Sequence, residues 1–327
     1  MCETERNLRF LPTIFEHAAF LIGRTPSEAS LNSELMKKAH VEAHCLYRPD
    51  SVTVGIDVYN IEAEALGCKV SFFKDSSVPG IADHPLDLDG DPKKLEYSRT
   101  LGRIQLVIES AAAVKKDLEG DSDVSVGVCG PFSILMELAG YERAVEMMAD
   151  EESKAKAFLD ALALFQIKYC SDILAKGLGV VVFESWASPP LVSPEIYRIF
   201  GLPPEKRLLK FLRQSGLKSR PLVIGGDTSA ILDDMLGSGA TLVVSDYSAP
   251  LPLFARKAKK RGLKLRANID PRLIHKGEGF EGRINEIKEH AEGFPDLIAG
   301  TGVIPYDTPP ENLLIAKKML ARNAYGL

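Results

Sequence analysis

The chain has 327 residues, 45% hydrophobic and 26% charged, enough for one large α/β domain or two modest ones. Its net charge of −5 argues against a nucleic-acid or anionic-membrane surface as the main partner. No apolar stretch approaches the ~18 residues of a membrane span, and the opening MCETERNLRF lacks a signal-peptide core. Cys2, Cys45, Cys68, Cys129 and Cys170 are widely spaced and form no CxxC pair, which fits reduced thiols in a cytoplasmic protein.

Residues 1–50 read as an N-terminal helical segment, with helices at Thr13–Ile22 and Ser30–Leu46 ending at Pro49-Asp50. Ser51–Ile56 is rich in β-branched residues and reads as a strand ending at Asp57. Residues 68–92 read as a rim insertion, with Lys69–Phe73 as a hairpin arm before an irregular loop over Asp75–Asp91. A long helix is expected over Pro92–Leu118, then a strand over Val124–Val128 ending at Cys129-Gly130-Pro131. A second long helix, Glu151–Lys176, has Asp150 as its cap and keeps Phe158, Leu162, Phe165, Tyr169 and Ile173 on one face.

Val180–Phe183 is a buried-type strand ending at Glu184-Ser185-Trp186, and helices follow near Pro194–Phe200 and Glu205–Gln214. Leu222–Ser248 is a strand-helix-strand unit: Leu222–Ile224 stops at Gly225-Gly226, Asp227-Thr228-Ser229 supplies cap residues, and Leu242–Val244 stops at Ser245-Asp246. Such a crossover joins parallel strands, so both strands end at one edge of the sheet. A basic helix, the strand Leu263–Ala267 ending at Asn268-Ile269-Asp270-Pro271, a helix at Glu281–Glu292, the strand Asp296–Ala299 and a helix over Pro310–Arg322 complete the chain.

Seven strand ends emerge, at Asp57, Cys129, Glu184, Gly225, Asp246, Asn268 and Gly300. This alternation predicts a parallel sheet, either an eight-stranded barrel or an open doubly wound sheet. The absence of a Gly-rich dinucleotide fingerprint and of GxxxxGK[ST] weighs against the open sheet. With no linker or composition break, residues 1–327 form a single domain, and residues 1–50 must supply the eighth strand.

Parallel α/β folds place their chemistry at the carboxyl ends of the strands. Asp57, Cys129, Glu184, Asp227, Asp246, Asn268 and Asp270 are therefore candidates, and converging carboxylates suit proton transfer, an NH-rich or cationic ligand, or a metal. A metal held by Asp57, Glu184 and Asp246 would be hard and oxygen-ligated, such as magnesium. Asp227 and Asp270 fit equally well as helix caps. His40 and His44 share a helix face beside Cys45, but that helix leads to the opposite end of the first strand and is read as structural. His17 and His275 stay open.

Several segments together resemble the uroporphyrinogen decarboxylase superfamily: Gly130-Pro131-Phe132, Phe183-Glu184-Ser185-Trp186-Ala187, Asn268-Ile269-Asp270-Pro271, and Gly300-Thr301-Gly302 followed by Asp307-Thr308-Pro309-Pro310-Glu311-Asn312. The resemblance implies a distorted (β/α)8 TIM-like barrel with parallel strands. Gly55–Gly67 and Gly226-Asp227-Thr228 are more similar to its cobalamin-dependent methyltransferase branch, which includes methylcobamide:coenzyme M methyltransferases. Asp57 stands where the decarboxylase places its essential aspartate. The decarboxylase's N-terminal arginines have no counterpart around Leu8–Glu16, and its tyrosine and histidine would fall near Glu137 and Thr301. The zinc ligands of the methyltransferase branch are replaced by Val223, Gly225 and Gly302, so no metal is expected at that site.

The main functional expectation is a corrinoid-dependent methyltransferase without the usual zinc, acting on a small methylated substrate or a non-thiol acceptor. Asp57, Glu184, Asp246 and His17 are the catalytic candidates, and Asn60, Trp186, Asp227, Asn268 and Thr301 the substrate-binding ones. The expected partners are a small-molecule substrate and a protein carrying the corrinoid (cobalamin), with a homodimer left open. The alternatives are a decarboxylase of a tetrapyrrole or smaller substrate, and a non-catalytic barrel that binds a corrinoid or tetrapyrrole.

Overall fold

In the computed structural model, residues 8–189 and 191–321 are described. Cys2, the charged start of the chain and Arg322 lie outside them. Among the described residues there are ten strands: β1 (Phe10–Thr13), β2 (Ser51–Val54), β3 (Val70–Ser71), β4 (Gly80–Ile81), β5 (Asp123–Cys129), β6 (Gly179–Phe183), β7 (Leu222–Val223), β8 (Leu242–Ser245), β9 (Lys264–Ile269) and β10 (Leu297–Val303). β3 and β4 pair as the antiparallel hairpin of the rim insertion.

The other eight are parallel and fall into two ladders, β2-β5-β6-β7 and β8-β9-β10-β1. A parallel bridge between Pro221 and Leu242 joins the ladders on one side. On the other side Asp50 N donates to Phe10 O at 3.2 Å, and Phe10 N donates to Asp50 Oδ2 at 2.6 Å. The result is a distorted (β/α)8 barrel whose β1–β2 seam has no ladder and is closed by Asp50 on Phe10 and on Arg9, the latter an ion pair at 3.5 Å.

The eighth strand comes from the N-terminal segment, as the count required, but it lies at Phe10–Thr13, partly where a helix start was expected. Pro12 carries no N–H, and the register with β10 shifts between Leu11 and Thr13. The helix over Pro92–Leu118 also divides: a short turn occupies Pro92–Lys94, and the helix proper runs from Ile104 to Asp117.

Side-chain alternation separates two apolar clusters. Phe15, Val58, Val181, Phe183, Val223, Leu242, Val244 and Ile298 fill the barrel interior. Val180, Val182, Leu222, Val243, Leu265, Ala267, Leu297 and Ala299 face outward against the helices. This parity decides which strand-end residues reach the mouth.

Candidate functional site

Leu242 and Val244 point inward, so Asp246 follows them into the mouth. It is buried, and its two oxygens are held differently: Gly226 N donates to Oδ2 at 2.7 Å and Asn268 Nδ2 to Oδ1 at 3.1 Å. Asn268 Oδ1 has no hydrogen-bond partner. From outside, Arg283 ties the two strand ends together, with Nε on Asn268 O and Nη2 on Asp246 O, both at 3.1 Å.

Arg266 lies two residues before Asn268 and so faces the same interior. Burial pushes its pKa down to about 10, against the attraction of Asp246 and Tyr59. Across the mouth, the Tyr59 hydroxyl and Ser185 Oγ are 2.6 Å apart. Phe183 packs edge-on against both Phe15 and Tyr59, at 5.7 and 6.0 Å. An interior cavity of about 60 Å³ is lined by Leu11, Phe15, Phe183, Leu242 and Arg266 and reaches through the β1–β2 seam to His40 and His44.

Asp57 is not a free carboxylate. Arg103 Nη1 and Nη2 grip its two oxygens at 2.9 and 2.8 Å, Asn60 Nδ2 adds a bond at 2.9 Å, and Arg103 Nε reaches Glu64 at 2.6 Å. Phe72, from the rim hairpin, lies 5.1 Å from the guanidinium. Asn60 also donates to Pro79 O, which fastens the rim insertion to the end of β2. Asn60 is thus occupied by the protein itself.

Glu184 and Thr301 sit at strand ends, but their parity turns them out of the barrel. Glu184 follows the inward Phe183 and is fully buried in the helix layer. Ser133 N donates to its Oε1 at 2.6 Å, which caps the helix Pro131–Ala139, a helix with no cap of its own. A Cβ on Gly130 would meet Glu184 Oε2 at 1.9 Å, so the Gly130-Pro131 corner leaves room for this carboxyl alone. Burial raises the Glu184 pKa to about 7, partly offset by Ser133. Thr301 Oγ1 accepts from Thr13 N at 3.0 Å, and its carbonyl accepts from Thr13 Oγ1 at 3.2 Å, which binds β10 to β1.

His17 is buried beside the mouth segment with both nitrogens engaged. The Tyr306 carbonyl can only accept, so Nδ1 carries the proton and Nε2 takes the Tyr47 hydroxyl proton, at 2.9 and 2.8 Å. Burial lowers its pKa, which keeps it neutral. Trp186 Nε1 donates to Glu137 at 2.7 Å and its ring stacks on Tyr141. Asp227 is exposed and folds back on Ser229 N and Oγ, and Asp270 caps its helix through Arg272 N. His40 accepts from Gly55 N at 3.1 Å, and burial pushes its pKa down to about 4.

Among the described residues, no group of three or more His, Cys, Asp or Glu side chains could hold a metal ion. A Cβ at Gly225 would face Asp246 Oδ2 at 3.7 Å, a carboxylate already bonded to Gly226 and Asn268. The donor set does not fit zinc. The expectation of an acidic mouth is corrected as well: Asp57 is neutralised by Arg103, Glu184 points away, and Asp246 is opposed by Arg266.

The family model described as Uroporphyrinogen decarboxylase (URO-D) matches residues 10–320. The chain belongs to the URO-D family. It is 28% identical over 258 residues to a methylated-thiol–coenzyme M methyltransferase of Methanosarcina mazei, covering 78% of this chain and 68% of that protein. It is 23% identical over 303 residues to a uroporphyrinogen decarboxylase of Prochlorococcus marinus, covering 88% of this chain and 85% of that one. A solved methyltransferase from M. mazei superposes with a TM-score of 0.78 at 23% identity, over 95% of this chain and 94% of that chain, which carries the fold. These family relatives are enzymes by name, in two reaction classes.

Arg103 and Arg266 are the site residues that sequence reasoning missed. Alternation was a usable signal for Arg266. In Lys264-Leu265-Arg266-Ala267-Asn268-Ile269 the apolar set faces the helices, which leaves the polar set facing in.

Proposed function

We propose that this URO-D family member is a methyltransferase that exchanges a methyl group between a small substrate held at the barrel mouth and a corrinoid carried by a partner protein. The observation that carries the reading is the charge balance of the interior. One carboxylate, Asp246, stands at the strand ends, and one unpaired guanidinium, Arg266, lines an interior cavity of about 60 Å³. That suits a small ligand and offers few cations to a tetrapyrrole bearing many carboxylates. The corrinoid would supply the methyl-carrying centre.

In this reading the chain's own residues bind and orient the substrate. Asp246, held by Gly226 and Asn268, accepts or returns a proton at the substrate heteroatom. Tyr59 and Ser185 present a hydroxyl pair opposite it. Asp57, Glu184 and His17 hold the frame through Arg103, Ser133 and the Tyr47–Tyr306 pair. The rim hairpin and its loop expose Phe72, Phe73 and Val78, apolar surface of the kind a macrocycle or partner protein covers.

The test uses purified protein with free methylcobalamin and reduced cobalamin, offered small methylated donors and acceptors and followed by the cobalamin colour change. Methyl transfer without added zinc is expected. Release of carbon dioxide from uroporphyrinogen, with no methyl transfer, would replace this reading with the decarboxylase one.

A further inference from the structure

The two arginines of the barrel, buried Arg103 and half-buried Arg266, are treated very differently. Arg103 spends its guanidinium on Asp57 and Glu64. Arg266, level with Val244 and Ile298 in the ladders, makes no hydrogen bond or ion pair among the described residues, and its Nε is sealed without a partner. The side chain as a whole is half-buried and lines the interior cavity.

The direction of the side chain is set by Gly300. A Cβ there would lie 2.6 and 2.7 Å from Arg266 Cδ and Cγ, and Gly300 is level with Asn268. The Arg266 stem therefore climbs past the absent side chain of Gly300 toward the layer of Asp246 and Asn268. Tyr59 and Asp246 lie within its electrostatic reach without touching it.

A guanidinium does not give up its proton in a protein, so an unpaired one in a barrel interior is costly. An apolar side chain of the same length would fill the space at no such cost.

We propose that Arg266 anchors a small monocarboxylate group of the substrate. The planar fork of arginine matches the two oxygens of a carboxylate. The cavity of about 60 Å³ is several times the ~10–15 Å³ that one water needs, room for a carboxylate head. A doubly charged phosphate would exceed the one cation present and be repelled by Asp246. The inference rests on the mouth being the substrate site, and its test needs neither corrinoid nor turnover, so it can fail while methyl transfer stands.

The probes are ¹³C-acetate and dimethylglycine, with binding followed by saturation-transfer NMR to the wild type, Arg266→Met and Arg266→Lys. Wild type should bind both, Arg266→Met at least about tenfold more weakly, and Arg266→Lys in between. Without ligand, Arg266→Met should melt about 2 °C or more above wild type, because it removes an unpaired charge from the barrel interior. A purely structural arginine would lower the melting point instead. Wild-type crystals soaked in bromide should show an anomalous peak against the guanidinium, a measurement that needs no variant. Equal binding by wild type and Arg266→Met, a lower melting point for Arg266→Met, or an empty guanidinium in the bromide crystals would each overturn the assignment.

Discussion

The two half-barrels use strand-end carboxylates in opposite ways. In the β2-β5-β6-β7 half, Asp57 is clamped by Arg103 and Glu184 turns outward to cap a helix, so both charges are absorbed by the scaffold. In the β8-β9-β10-β1 half, Asp246 stays in the mouth with only neutral donors, and Arg266 stays unpaired beside it. One half absorbs its charges into the scaffold, and the other leaves them without an ionic partner.

The largest expected effect comes from breaking the clamp. Arg103→Met should cost about 3–5 kcal/mol of stability in urea denaturation, because it leaves Asp57 buried without its cation. Adding Asp57→Asn should recover part of that loss. No recovery would mean that the pair is not one unit.

Next comes the pH dependence of the outward carboxyl. The Glu184 pKa is raised in the fold to about 7 from 4.5, so its contribution is fully present below pH 4.5 and is lost as pH rises through 7. Wild type should lose on the order of 3 kcal/mol between those limits from this residue, and Glu184→Gln should flatten that part of the profile. Glu62, buried behind Cys129 with a pKa also raised to about 7, should leave a second component of the same sign in the variant.

In the other half, Asp246→Asn should lower methyl-transfer turnover by about 10²-fold, measured by cobalamin absorbance, with little change in melting temperature. A variant equally active and equally stable would dissolve the contrast between the halves. The smallest effect belongs to the strand pair that parity removed from the mouth. Thr301→Val should cost about 1–2 kcal/mol in urea denaturation, since it strands the buried Thr13 N–H.

Much of this fold was legible from apolar runs. The ends of β5, β6 and β8 and the rim hairpin follow from them. β1 was not legible, because Phe-Leu-Pro-Thr is too short to show a period and Pro12 suppresses the strand signal. The position of Glu184 at a strand end was legible, but its direction was not. A run of four apolar residues gives no alternation, so nothing in Val180–Phe183 says which face the next residue takes. Arg103 was hidden by the expectation of an unbroken helix, in which it reads as one more solvated cation. Lys264–Ile269 did carry a parity signal, one that acquires meaning only once the barrel makes "polar side" mean "inside".

The β1–β2 seam has a consequence for how the chain is made. Among the described residues β1 finds its ladder partner in β10, with Phe10 opposite Ala299, and on its other side only Asp50 bonds to it and to the adjoining Arg9. During synthesis at ~5–20 residues per second, β1 must therefore wait roughly 15–60 s after it emerges before its partner exists. Through that interval its inward Leu11 and the following Phe15 have no interior to enter. Closure of the barrel is a late event in the life of each nascent chain, and β1 is among the last strands to be secured.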